Sequence, residues 1–133
     1  MTSNDNIGAF FANIGEMLAH DTGGAIDGVF IYREFDQRAI GGQAFRDLGD
    51  RVIWLDVSYD LEMYMLEFWE ALPSAEQWKA MQYSISGEAF HVELDYGEQW
   101  DDDEHTSDRA DRIVAARFGN KQIDYGRFPG DPA

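Results

Sequence analysis

The 133-residue chain has no cysteine, and it sets only ten Lys and Arg against 26 Asp and Glu. Without cysteine there is no disulfide, no thiolate metal site and no Cys nucleophile. The shortage of basic residues argues against direct nucleic-acid binding, because a polyanion has to be met by clustered Lys and Arg. No apolar run approaches the ~20 residues of a membrane-spanning helix. The N-terminal MTSNDNIGAFF also has no basic region of the kind that opens a secretory signal. A soluble, cytoplasmic protein with no membrane partner is expected.

What the chain does have is apolar and acidic. Hydrophobic residues make up 44%, with four Trp, six Tyr and nine Phe, enough to bury the core of one domain. Residues 1–133 read as a single domain, with 128–133 as a frayed tail around Pro129-Gly130-Asp131-Pro132. The formal charge of −16, with a pI near 4.2, exceeds what solubility needs and costs self-repulsion in the compact state. Its natural complement is a cationic partner.

The clearest structural signal is Trp78 to Tyr96, which reads as a β-hairpin. With Ser86-Gly87 as a two-residue turn, Tyr83 faces Phe90, Met81 faces Val92 and Lys79 faces Leu94 on one side. The other side pairs Ser84 with Ala89, Gln82 with His91 and Ala80 with Glu93. One apolar and one polar face predict a sheet covered on one side only.

Around the hairpin the chain alternates between two periods. Ile7, Phe10, Phe11, Ile14, Met17 and Leu18 form one helical stripe, capped by Ser3, Asn4 or Asp5 and broken at Thr22-Gly23-Gly24. Three strands follow, Gly28–Phe35, Ala39–Phe45 and Arg51–Val57, and Gly41-Gly42 in the second signals a bulge or a close backbone approach. Leu61, Tyr64, Met65, Phe68, Trp69 and Leu72 mark the strongest helix, capped by Ser58 or Asp60 and stopped by Pro73. A last helix, capped by Thr106 or Ser107, presents Ala110, Ile113, Val114 and Phe118 and ends at Gly119. Ile123, Tyr125 and Phe128 offer docking points for the tail. The predicted fold is α+β in the order α-β-β-β-α-β-β-α, an antiparallel sheet of about five strands with helices packed on one face.

Candidate chemistry is sparse. The run Asp101-Asp102-Asp103-Glu104-His105 lacks the alternate spacing, the turn glycine and the closing glutamate of an EF-hand, so a solvated acidic loop is expected and no metal. His91 and Glu93 point the same way at strand period two, formally an acid/base pair and more simply a surface neighbourhood. No serine stands in a Gly-x-Ser-x-Gly context and no phosphate-binding glycine loop occurs, so the expectation is a protein that binds without catalysis and without a cofactor. Three of the four Trp residues fall in or beside the core. Trp100 stands in the acidic loop, either as a contact anchor or folded back to pin that loop on the sheet edge.

The hairpin ending in Phe90-His91-Val92-Glu93-Leu94-Asp95-Tyr96, the acidic segment after it and the helix closing in Arg117-Phe118-Gly119 resemble the YezG-like immunity proteins of bacterial polymorphic toxin systems. The resemblance implies a small cytoplasmic protein that neutralises a cognate toxin, often a nuclease, by binding it. A basic nuclease suits an acidic inhibitor in sign. The expected partner surface is Glu93, Glu98, Trp100, Asp101, Asp102, Asp103 and Glu104. The alternative is a small-ligand-binding or regulatory α+β module using a pocket between helices and sheet.

Overall fold

The computed structural model describes residues 3–101 and 103–124. The elements are α1 (Ser3–Thr22), β1 (Val29–Asp36), β2 (Ala39–Asp47), β3 (Val52–Leu55), α2 (Tyr59–Glu70), β4 (Ala80–Ser86), β5 (Ala89–Asp95), α3 (Thr106–Phe118) and β6 (Ile123–Asp124). The strands form one open sheet in the order β5-β4-β1-β2-β3-β6. Every neighbouring pair is antiparallel except β3 with β6. The α+β class is as the sequence predicts, with a sixth strand where Ile123 docks alongside Val52. Tyr125, Phe128 and the tail 128–133 lie outside the described residues.

The helices pack on both faces of the sheet, which corrects the one-sided arrangement. α1 and α2 cover one face, where Phe10, Ile14, Leu61, Met65 and Trp78 pack with Ile31, Met81 and Tyr83. α3 covers the other, bringing Val114 and Phe118 onto Phe30, Tyr32, Phe45 and Val52. The Phe118 ring stands edge-on to Phe30 at 5.7 Å and to Phe45 at 5.6 Å. The physical reason lies in β1, whose run Val29-Phe30-Ile31-Tyr32 is buried on both sides and so needs cover on both. The polar face of the hairpin belongs to β4 and β5 alone, and α3 leaves that flank of the sheet largely open.

Local chemistry explains most boundaries. Ser58 caps α2, its Oγ accepting from the Leu61 N–H at 3.2 Å, and Pro73 follows the helix. His105, with no side-chain capping bond, is the N-cap of α3 in place of Thr106 or Ser107, and Gly119 at φ 59° ends it. Gly42 makes the close approach expected of it. At φ +123° a Cβ there would stand 2.0 Å from the Tyr32 carbonyl oxygen, so no side chain fits without moving β1 from β2. Tyr83 ties the sheet to α1 by donating to the Phe11 carbonyl at 2.8 Å, and burial pushes its hydroxyl up to about 12.

The hairpin's register differs by two from the expected one. Ser86 pairs with Ala89, Tyr83 with Val92 and Gln82 with Glu93, so the turn is Gly87-Glu88. Gly87 at φ +62° takes the first central position, as a type II′ turn requires. A shift of two keeps every side chain on its face. His91 and Glu93 are accordingly exposed, while Val92 and Leu94 pack partly against the first core.

Candidate functional site

The open flank of the second face is a groove between the hairpin and α3. Ala80 and buried Tyr32 are in its floor, Gln82, Glu93 and Asp95 come from the hairpin, Glu98 from the following loop and Ile113 from α3, enclosing about 390 Å³. Strand period two puts Glu93 and Asp95 on the same side, and Gly97 at φ +78° turns the chain so that Glu98 joins them. Among the described residues no basic side chain lines the groove. What it offers chemically is a concentrated negative potential over an apolar floor.

One end of the groove is closed by a buried charge cluster. Arg109 on α3 is forked onto Glu34 of β1, with Nε to Oε2 at 2.9 Å and Nη2 to Oε1 at 2.8 Å. The Tyr32 hydroxyl makes a short hydrogen bond to the same carboxylate. Those bonds raise the Arg109 pKa further, while burial first and the Glu34 carboxylate second push the Tyr32 hydroxyl far above its usual value. The Arg109 guanidinium lies 3.6 Å from the centroid of Trp100, and Trp100 Nε1 donates to Asp95 at 2.7 Å. Trp100 is thus folded back onto the sheet edge, pinning the acidic loop. Its indole joins the buried pair to the hairpin.

The expected surface residues therefore separate. Glu93 and Glu98 come together in the groove, and Asp101 and Asp103 are exposed beyond it, with Asp101 accepting from the Asp103 N–H at 2.9 Å. Asp102 lies outside the described residues. Glu104 is committed to the fold: Arg112 donates to it at 3.1 and 3.2 Å, and Arg109 stands 3.7 Å away. Asp95, Gln82 and Tyr32 were absent from the expected set. Both Asp95 and Gln82 carry a sequence signal: Asp95 follows Glu93 at strand period two, and Gln82 lies on the hairpin face whose polar side the pattern already marks. Tyr32 does not, because its place depends on how β1 and α3 pack.

The other histidines and aromatics are unremarkable in setting. His91 Nε2 is 3.5 Å from Glu93 with both side chains more than 60% exposed, a surface neighbourhood. Trp69 and Trp78 are core residues, whereas Trp54 is exposed and corrects its expected place in the core. A wider cleft of about 710 Å³ opens beyond the charge cluster, walled by Trp69, Trp78, Trp100, Gln77, Glu34 and Arg109. The buried Trp78 Nε1 has no hydrogen-bond partner among the described residues. No group of three or more His, Asp or Glu arranged to hold a metal occurs among the described residues, nor a helix long and apolar enough to cross a membrane.

Glu104 gives the site a pH signature. Hydrogen bonding to Arg112 holds its carboxyl below the ordinary range, and Lys121 does the same for Asp47. A depressed folded-state pKa contributes stability that is complete above the unfolded carboxylate value and is lost as pH falls through the folded one. The melting-temperature gap between wild type and Glu104→Gln is expected to be constant near neutrality and to shrink below about pH 4. A gap that widens on acidification would contradict this pairing.

Comparison with known proteins finds no matching family model, no similar curated protein and no similar solved structure.

Proposed function

We propose that this is an immunity-type binding protein that neutralises a cationic protein toxin, a basic nuclease, through its acidic groove and the exposed loop beyond it. The observation that carries the reading is the groove itself, with Glu93, Asp95 and Glu98 on its walls and no basic side chain among its described lining residues. The chain's charge balance points the same way. Among the described residues Arg33, Arg109, Arg112 and Lys121 are each ion-paired with a carboxylate of the chain, and the net charge of −16 makes the outward field strongly negative. The hairpin-to-helix pattern that resembles YezG-like immunity proteins supplies the partner class. A nuclease grips phosphate with clustered Lys and Arg, and an acidic surface occupies the same groups.

Such a partner is steered in by charge, so its association rate is expected to fall about tenfold or more from low to high ionic strength. Glu93→Gln, Glu98→Gln and Asp101→Asn together are expected to slow association at low salt and to flatten the salt dependence. The measurement is stopped-flow association with a candidate basic nuclease toxin, alongside growth rescue on co-expression. Association insensitive both to salt and to the three neutralisations removes the mechanism.

The cleft beside Trp78 favours a second reading, a small-ligand-binding module. Its aromatic walls, with the Glu34–Arg109 pair beside them, suit a planar ligand that carries polar groups. A thermal-shift screen of metabolites distinguishes the two, since a ligand of the cleft raises the melting temperature without any cationic partner.

A further inference from the structure

β5 ends the sheet, and among the described residues no strand pairs with its outer side. Its seven residues run in unbroken register with β4, and AFHVELD contains no proline, lysine or bulge of the kind that blunts an exposed edge. The Asp95 carbonyl is turned towards β4, where it accepts from the Lys79 N–H at 2.8 Å. Main-chain groups alternate in direction along a strand, so those of Phe90, Val92 and Leu94 point outward from the sheet.

The side chains beside that edge fall in two rows. Phe90, 44% exposed, lies with Val92 and Leu94 on the α1/α2 face, and His91, Glu93 and Asp95 lie on the groove face. A strand added here sets alternate residues against an apolar row and the others against an acidic one, where Lys and Arg are favoured and Asp and Glu are not. A second copy of this chain is a poor occupant, because each carries a net charge of −16.

We propose that β5 takes up an extended segment of the cationic partner as a seventh strand, one whose side chains alternate between apolar and basic. This rests on the acidic-surface reading above and adds to it the mode of recognition. Val92 is the discriminating position. Its N–H faces outward, so Val92→Pro removes an edge donor without removing a β4–β5 bond. Glu93→Lys serves as a second variant, which reverses the charge preference and leaves the backbone untouched.

The probes are a capped heptapeptide alternating Val and Lys, and a peptide of the same composition with its Lys residues in one block. The alternating peptide is expected to bind about tenfold more tightly, and Val92→Pro and Glu93→Lys each to weaken it by a similar factor. In hydrogen exchange it slows the amides of Phe90, Val92 and Leu94. Equal binding of both peptides with no protection on β5 overturns strand addition and leaves the acidic-surface reading standing. Failure of both peptides to bind at low salt overturns both. A free protein that is dimeric with β5 already protected gives the edge to a second copy and also overturns the proposal.

Discussion

Replacing Arg109 with alanine is expected to lower the unfolding free energy by about 3–5 kcal/mol, the range seen when one partner of a buried ion pair is removed. Three interactions are lost, and they are unequal. The contact with Glu104 at 3.7 Å is long and partly solvated, worth under about 1 kcal/mol. Stacking on Trp100 contributes about 0.5–2 kcal/mol. Glu34 decides the total, because its side chain is 12% exposed and would keep a buried carboxylate with only the Tyr32 hydroxyl for company. Arg109→Lys should recover only part of the loss, since an ammonium cannot make the two parallel bonds of the guanidinium fork. Removing both charges as Glu34→Gln with Arg109→Met should lie closer to wild type than Arg109→Ala. Urea midpoints of the four proteins test the order, and an unchanged midpoint for Arg109→Ala would mean that the pair contributes nothing net.

The consequence for the site is that its acidic loop is held in place from inside the fold. Trp100 sits on the Arg109 guanidinium and bonds Asp95, so the buried pair positions the segment that carries Asp101 and Asp103. Arg109→Ala is therefore also expected to change the Trp100 fluorescence, as the indole loses the cation beneath it.

How much of this was legible in the sequence depends on the range of the interaction. Period-two alternation specified which hairpin residues face the core, and an error of two in register did no harm because it left both faces unchanged. The error arose because Ser86-Gly87 and Gly87-Glu88 both supply a turn glycine, and only backbone geometry decides whether it comes first or second. The stripes of α1 and α2 were equally plain in their 3.6 period, and the buried residues of both fall on them apart from Leu66, which α2 also buries. α3 shows the limit. Its apolar face is readable, but placing it on the same side of the sheet as α1 and α2 overlooks the continuous apolar run of β1, which signals a strand that needs cover on both sides. The link from Arg109 to Glu34 spans 75 residues and follows from α3 crossing the second face, which no local pattern encodes. For that reason Glu93 and Glu98 were found as surface acids, while Glu104 and Trp100 turned out to be claimed by the fold.

On the opposite face, Glu62→Ala is expected to cost about 3 kcal/mol in the wild-type background and almost nothing once Arg33 is methionine. Arg33 projects from the central strand β1 into the α1/α2 face with its side chain 4% exposed. Its Nη2 reaches Glu62 at 3.2 Å, Nη1 makes a long 3.4 Å bond to the Tyr32 carbonyl, and Nε has no partner among the described residues. Desolvation lowers the guanidinium pKa and the Glu62 charge opposes that shift, so the carboxylate is what keeps the charge tolerable there. Glu62 is itself 37% exposed, and water screening places the cost at the lower end of the buried-pair range. Methionine at position 33 keeps the apolar stem, discards the charge and the orphaned Nε, and should leave the protein as stable as wild type or more so. The double-mutant cycle then yields a coupling of about 3 kcal/mol between the two positions. If Glu62→Ala costs the same in both backgrounds, the buried guanidinium does not depend on Glu62. Its charge must then be balanced by the backbone carbonyl and by water entering from the α2 side.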